Sequence, residues 1–322
     1  MSIKLSTGFA DNISNKETRN AVIETIKSLS EAAKKIAYLC AHGPLLDGLG
    51  ANTGANNADG DDQKALDIQS DEIIIDLLRR APVAYYASEE EEGINTLDPS
   101  KPICVAADPL DGSSNIDTNV SIGTIFSILP TMPGDAENSF FRPGKEQLVG
   151  GFFVYGPQTS LIITTGNGVE LYVLDPESKQ FVLAIDDLKL ATAKAEYAIN
   201  AANARHWQPP IQNFINDCLA GVDGPLAENY NMRWVGSLVA DASRILSRGG
   251  LFLYPADARK GYEKGRLRQL YEANPVSFVI EQAGGSATDG KTRIMELPLS
   301  ELHQRVGFVF GSKKQVEIVA TY

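Results

Sequence analysis

Ile103-Cys104-Val105-Ala106-Ala107-Asp108-Pro109-Leu110-Asp111-Gly112-Ser113-Ser114-Asn115 decides how this chain is read. Its first five residues are an apolar run of the length of a buried strand. The chain is then expected to turn sharply at Pro109 and Gly112, with the carboxylates of Asp108 and Asp111 on that turn. A glycine, two hydroxyls and an amide follow directly. Paired carboxylates suit a hard cation such as Mg²⁺. A Gly-Ser-Ser turn offers clustered backbone N–H groups and hydroxyls, which suit a phosphate. A phosphoester held between metal and N–H donors is a hydrolytic site in outline.

Asp-Pro and Asp-Gly taken alone are ordinary turn dipeptides. That reading leaves both acids and both serines unexplained at the end of a buried strand, where open α/β sheets hold their ligands. An EF-hand loop is excluded, because it needs Gly sixth and Glu twelfth. Counted from Asp108, Gly112 is fifth and Asn119 twelfth.

One strand earlier, Val83 to Ala87 reads as extended and runs into Ser88-Glu89-Glu90-Glu91-Glu92. A glutamate run is usually a solvated surface. Here it stands at a strand end, as Asp108 does, so two strand ends bring Glu89, Glu90, Asp108 and Asp111 together. Such acids repel one another unless cations neutralise them.

Further out, Ser14 and Glu17 have capping-box spacing. Val22, Ile26, Leu29, Ala33, Ile36 and Cys40 then mark one face of a long helix that Gly43-Pro44 ends. Residues 44 to 62, rich in Gly, Asn and Asp, read as a long functional loop. Asp61 and Asp67 flank its junction with a second helix, Gln63 to Arg80. Val120 to Leu129 alternates as a strand, and residues 131 to 146 read as a polar loop. Leu148–Tyr155, Ser160–Thr165, Val169–Leu174 and Gln180–Ile185 read as an antiparallel meander. Composition puts a boundary near residue 190. Beyond it come a strand at Tyr197–Asn200, a helix at Pro210–Leu219, a helix ending at Gly249-Gly250 and a strand at Leu251–Tyr254. Leu267 to Ala283 has helical period, with Pro275 as a kink or break.

The chain has 322 residues, 43% of them hydrophobic, which is an ordinary globular composition with room for two domains. A formal net charge of −12 argues against nucleic acid or an anionic membrane as the main partner. Cys40, Cys104 and Cys218 have no metal or redox spacing. Cys104 falls in the buried strand and reads as core. No apolar run spans a bilayer, and cytoplasm is the expected compartment.

From about Glu17 to the C-terminus the chain resembles class 1 fructose-1,6-bisphosphatase. The residues that carry this are Ser88-Glu89-Glu90, Asp108 to Asp117 (DPLDGSSNID), Arg233-Trp234-Val235-Gly236-Ser237, and Leu267 to Pro275 (LRQLYEANP). The acid pair and DPLDGSS are shared with the wider lithium-sensitive phosphatase superfamily.

The resemblance implies an α/β fold of stacked αβαβα layers with mixed and antiparallel sheets. It implies an N-terminal domain, 1–190, carrying the acid pair, and a sugar-phosphate-binding domain, 191–322. It implies hydrolysis of the 1-phosphate of fructose 1,6-bisphosphate with Mg²⁺ or Mn²⁺, two or more ions per site, by a homotetramer serving gluconeogenesis or the Calvin cycle. Glu89, Glu90, Asp108, the Leu110 carbonyl, Asp111 and Glu272 would bind metal. Glu90, Asp61 and Asp67 would orient and deprotonate the attacking water. Asp111, Gly112, Ser113, Ser114 and Arg268 would surround the transferred phosphate. Asn200, Arg233, Trp234 and Tyr254 would hold the sugar and its 6-phosphate, Arg233 reaching in from a neighbouring subunit.

Three departures from the family pattern bear on specificity. Arg266 stands where the family usually has Lys, and a forked guanidinium is not a point ammonium. Asn203 and Trp234 stand where animal members have Tyr. Asn200-Ala201-Ala202 replaces a common Asn-Glu-Gly. Action on sedoheptulose 1,7-bisphosphate is therefore the alternative, and a non-catalytic sugar-phosphate sensor is the reading from a different class. The AMP site of animal members uses a Lys-Tyr pair before the central strand and an Arg after the next one. Register from DPLDGSSNID puts Pro102, Ile103 and Pro130 there.

Overall fold

The computed structural model describes residues 3–45, 52–56 and 62–322. The apolar stripe from Val22 to Ile36 is the buried face of helix α1, Lys16–His42. Its N-cap is Asn15, whose side chain accepts the Thr18 N–H at 3.0 Å, so the expected Ser14 start lies one residue early. Strands β1 (Asn52–Asn56) and β2 (Asp62–Lys64) form a small antiparallel ladder, β1 inside the region expected to be loop and β2 at its end, where Gln63 and Lys64 are expected to open the second helix. Helix α2 (Ala65–Leu78) follows, with Asp67 in its first turn.

Eight strands form the large sheet: β3 (Val83–Ser88), β4 (Ile94–Thr96), β5 (Ile103–Asp111), β6 (Ile122–Pro130), β7 (Val149–Tyr155), β8 (Thr159–Thr164), β9 (Glu170–Leu174) and β10 (Phe181–Ile185). Their order is β10-β9-β8-β7-β6-β5-β3-β4, with only β3 and β5 parallel. The expected meander is β7 to β10. Residues 131 to 146 are not all loop, because helix α3 (Ala136–Phe140) buries Phe140 completely.

The second sheet collects β11 (Glu196–Ile199), β12 (Asn231–Met232), β13 (Leu251–Tyr254), β15 (Ser286–Thr288) and β17 (Phe308–Gly311). Their order is β12-β11-β13-β17-β15. Two short strands, β14 (Leu267–Arg268) and β16 (Arg305–Val306), pair separately. The remaining helices are α4 (Pro209–Ala220), α5 (Leu238–Arg248), α6 (Asn274–Gln282) and α7 (Lys313–Val319).

Burial stacks these elements in five layers. Helices α1 and α2 cover one face of the large sheet. Helices α5 and α6 lie between the two sheets, in a core that includes Phe152, Val239, Val276, Phe252 and Phe310. Helices α4 and α7 cover the far face of the second sheet. Cys104 is buried in β5 among other core side chains, as its apolar run implied.

Two corrections fall on the decisive stretches. Strand β5 does not turn at Pro109 but runs on to Asp111, with a bulge against β6 between Asp108 and Asp111. A proline, which has no N–H for the ladder, is tolerated at such a bulge. The Pro109 carbonyl accepts the Thr124 hydroxyl at 2.8 Å. The helical period from Leu267 to Ala283 also divides. It comprises β14, a π-helical turn at Gln269–Ala273, and α6, which carries Pro275 in its first turn.

Candidate active site

The parallel pairing of β3 with β5 sets Ser88 beside Ala107. The Glu89 N–H then donates to the Ala107 carbonyl at 3.0 Å, so Glu89 leaves β3 alongside Asp108. The Glu90 N–H donates to Ser88 Oγ at 3.2 Å. Both glutamates line a cavity of about 560 Å³ together with Asp67, Asp108, Leu110 and Asp111. The same cavity is lined by Gly112, Ser113, Ser114, Trp234, Tyr254, Arg266 and Glu272.

Asp108, Asp111 and Glu272 are buried, and each has a carboxylate oxygen within 4.8 Å of the others. The π-helical turn brings Glu272 there, a local widening of the kind frequent at functional sites. Burial and the charges of Glu89, Asp111, Glu272 and Glu90 hold Asp108 well above the ordinary carboxylate range. Burial pushes Glu272 up to about 7, although the Arg268 N–H it accepts works against this. Asp111 is also raised by burial, opposed by the donors at the start of α5. Those donors are the Val239 N–H at 2.9 Å, the Ser237 hydroxyl at 2.8 Å and the Leu238 N–H at 3.2 Å. Three acids whose charged forms burial disfavours, Asp108 and Glu272 also by neighbouring carboxylates, form a donor set that a divalent cation would neutralise.

Beside them Gly112 takes the left-handed conformation, φ +83°, and opens the turn carrying Ser113 and Ser114. A Cβ there would lie 2.9 Å from Ser237 Cβ, so only glycine lets this turn approach α5 so closely.

Other expected residues are distributed differently. Asp61 lies outside the described residues. Asn200 lines a small adjoining cleft with Asn203, Trp207 and Asp257, and Tyr254 belongs to both cavities. Arg233 is exposed and outside the main cavity, in a shallow groove with Glu196 and Arg244. Arg268, expected at the transferred phosphate, is not among the residues lining the cavity. It is 2% exposed, and its Nε lies 3.6 Å from Glu89.

Sequence reading gave no role to Asp117, Ser237 or Asp241, which also line the cavity. Asp241 accepts the Val235 and Gly236 N–H groups at 3.1 Å, and burial pushes it up to about 6. An acid in the first turn of a helix is an ordinary start signal, so nothing in the sequence set it apart.

Two family models match the chain. One, described as fructose-1-6-bisphosphatase, N-terminal domain, covers residues 9–186. The other, the C-terminal domain of the same family, covers residues 190–322. Fructose-1,6-bisphosphatase class 1 of Azorhizobium caulinodans is 52% identical over 308 residues, 94% of each chain. A relative of the same name from Rhodopseudomonas palustris is 51% identical, over 92% of this chain and 86% of the relative. The crystal structure of Leishmania major fructose-1,6-bisphosphatase in holo form superposes with a TM-score of 0.90 at 30% identity, covering 99% of both chains. The chain therefore belongs to the class 1 fructose-1,6-bisphosphatase family.

Proposed function

We propose that this chain hydrolyses the 1-phosphate of D-fructose 1,6-bisphosphate, giving fructose 6-phosphate and inorganic phosphate. The observation that carries this is the buried set Asp108, Asp111 and Glu272, lining one cavity with the Gly112-Ser113-Ser114 turn. Glu89, Glu90, Asp108, the Leu110 carbonyl, Asp111 and Glu272 would hold Mg²⁺ or Mn²⁺. Asp111 Oδ1 accepts one hydrogen bond, from the Leu238 N–H, and keeps a lone pair for a cation, whereas Oδ2 accepts two, from the Ser237 hydroxyl and the Val239 N–H. Bound divalent ions supply charge neutralisation, polarisation of a phosphoryl oxygen and a lowered pKa for water.

The remaining steps belong to side chains. Glu90 accepts a proton from the attacking water, and Asp67 helps to orient that water together with Asp61. The water oxygen bonds to phosphorus as the bond from phosphorus to the sugar oxygen breaks, the sugar oxygen takes up a proton from solvent water, and Gly112, Ser113 and Ser114 hold the released phosphate. Arg268, buried beside Glu89, adds positive charge next to the phosphate turn. Tyr254, Trp234 and Arg266 face the sugar, and Asn200 meets its far end through the adjoining cleft.

The exposure of Arg233 outside its own cavity supports a role in a neighbouring subunit's site, hence an oligomer, with a homotetramer as the proposed form. A division near residue 190 separates the two sheets and gives the proposed catalytic and sugar-phosphate domains. No helix among the described residues is long and apolar enough to cross a membrane, and the cytoplasm is the proposed location.

The test is phosphate release from fructose 1,6-bisphosphate and sedoheptulose 1,7-bisphosphate, with and without Mg²⁺. Release from the first only with the cation supports the reading. Binding without release points to a sensor, and equal release from both points to the bifunctional enzyme.

A further inference from the structure

Arg266 reaches the cavity from the loop between β13 and β14, and one aromatic residue of that loop holds it. Arg266 Nη1 donates to the Tyr262 hydroxyl oxygen, and its guanidinium carbon lies 5.5 Å from the centre of the Tyr262 ring. The guanidinium carbon of Arg259 lies over the same ring at 4.2 Å. Arg259 is fixed in turn by Asp257, a buried carboxylate, with Nε 3.0 Å from both of its oxygens. The backbone closes around this ladder. The Asp257 N–H donates to the Tyr262 carbonyl at 3.1 Å, and the Tyr262 N–H to the Arg259 carbonyl at 3.0 Å. The Gly265 N–H also donates to the Tyr262 carbonyl, at 2.9 Å. A line of contacts thus runs from buried Asp257 through Arg259 and Tyr262 to a cation in the cavity.

An ammonium in this place would need no orientation, because it is a point charge with rotatable donors. A guanidinium is a planar fork whose bond to an anion depends on its plane. A long side chain with a free plane also loses rotamer freedom on binding. We propose that Tyr262 is a positioning residue that presents the Arg266 guanidinium to the substrate, with Asp257 and Arg259 as its support. This rests on the reading of the cavity as a sugar-bisphosphate site.

The test is the KM of the whole enzyme for fructose 1,6-bisphosphate at saturating Mg²⁺. Tyr262→Phe keeps the ring and removes the oxygen that accepts from Arg266. KM is expected to rise roughly tenfold, the loss of about one hydrogen bond to a charged group, with kcat changed by about twofold at most. In an Arg266→Met background the same substitution is expected to change KM by less than about twofold, because the group it positions is gone. Asp257→Asn, which loosens Arg259 and leaves Tyr262 in place, provides the test if Tyr262→Phe does not fold, and it is expected to move KM in the same direction. An unmoved KM, a fall in kcat alone, or an equal KM shift in the Arg266→Met background overturns the inference. A wild-type enzyme that releases no phosphate from the bisphosphate overturns the functional reading instead.

Discussion

Ser237 donates its hydroxyl hydrogen to Asp111 at 2.8 Å, joining the end of β5 to the N-cap of α5 across 126 positions of sequence. Because Gly112 follows Asp111 and packs on the same serine, the Ser113-Ser114 turn has its place set by α5.

Gly112→Ala strains this junction twice. It puts a Cβ on a residue with φ +83° and drives that atom to 2.9 Å from Ser237 Cβ. The expected cost is about 1–3 kcal/mol of stability, with a fall in turnover as the serine turn shifts. Ser237→Ala removes the bond to Asp111 and the helix cap that accepts the Ala240 N–H, but strains no backbone and leaves both backbone donors on Asp111 in place, so a loss of about 1–2 kcal/mol is expected there. Denaturant unfolding of both variants decides the matter. Gly112→Ala as stable as wild type would show that the junction is looser than its geometry.

The acid cluster gives the metal-free protein a pH dependence of definite sign. Burial raises Glu272 from 4.5 to about 7, and Asp108 and Asp111 are raised as well. Between those limits the folded carboxyl of Glu272 keeps a proton that the unfolded chain has released, so stability falls as pH rises. Cation binding needs the charged form, so Mg²⁺ stabilises more where the acids are ionised. The rise in Tm on adding Mg²⁺ is expected to be larger at about pH 8 than at about pH 5. Equal rises at both would remove this cluster as the metal site.

Glu90→Gln keeps the shape of the side chain and removes its basicity. Turnover is expected to fall by about 10² to 10⁴, the usual contribution of a general base, with the fold unchanged by circular dichroism. A rate within about threefold of wild type would be too small a loss for that role.

Much of this arrangement is legible in the sequence, because it depends on local patterns. The apolar run before Asp108 and the run into Glu89 both read as strands, and parallel pairing brings the two ends together. What stayed hidden depends on contacts between distant segments or on local departures from period. A five-residue π turn at Gln269–Ala273 keeps the apolar spacing close enough to helical for Leu267 to Ala283 to read as one helix. A bulge lets Pro109 stay inside β5, where proline normally signals a turn. Asp241 looks like any acid at a helix start, and the Arg259-Tyr262-Arg266 stack has no sequence signature.

Asp71 supplies a prediction of the same kind away from the metal cluster. It stands one turn after Asp67 on α2 and accepts the Tyr86 hydroxyl at 2.6 Å. Burial pushes it up to about 6, with the Tyr86 and Ser88 hydroxyls working against the rise. Its stabilising protonated form is therefore lost as pH rises from about 4 to 6. Asp71→Asn keeps an acceptor for Tyr86 and carries no charge. The Tm of this variant relative to wild type is expected to increase from about pH 4.5 to about pH 7.5. A constant difference would mean that Asp71 is ionised throughout.

AMP is not expected to inhibit through the site used by animal members. Pro102, Ile103 and Pro130, the positions in register with its Lys-Tyr pair and Arg, close one end of the β5–β6 ladder. Ile103 is fully buried and paired with Pro130, and the Pro102 carbonyl accepts the Thr131 N–H at 3.0 Å. Proline offers neither charge nor N–H, and a buried isoleucine side chain offers no donor. Lys101, one position away, makes a 3.3 Å ion pair with Asp98 in which both side chains are partly exposed. An exposed pair is weak, so it leaves Lys101 available to be recruited. One recruited lysine does not replace a Lys, a Tyr and an Arg, since each charge-assisted bond to a phosphate contributes about 1.5–3 kcal/mol. The measurement is an AMP titration of activity at saturating Mg²⁺, repeated on Lys101→Met. Flat titrations for both proteins are expected. Cooperative inhibition at micromolar AMP that Lys101→Met abolishes would show that the lysine has taken over the site.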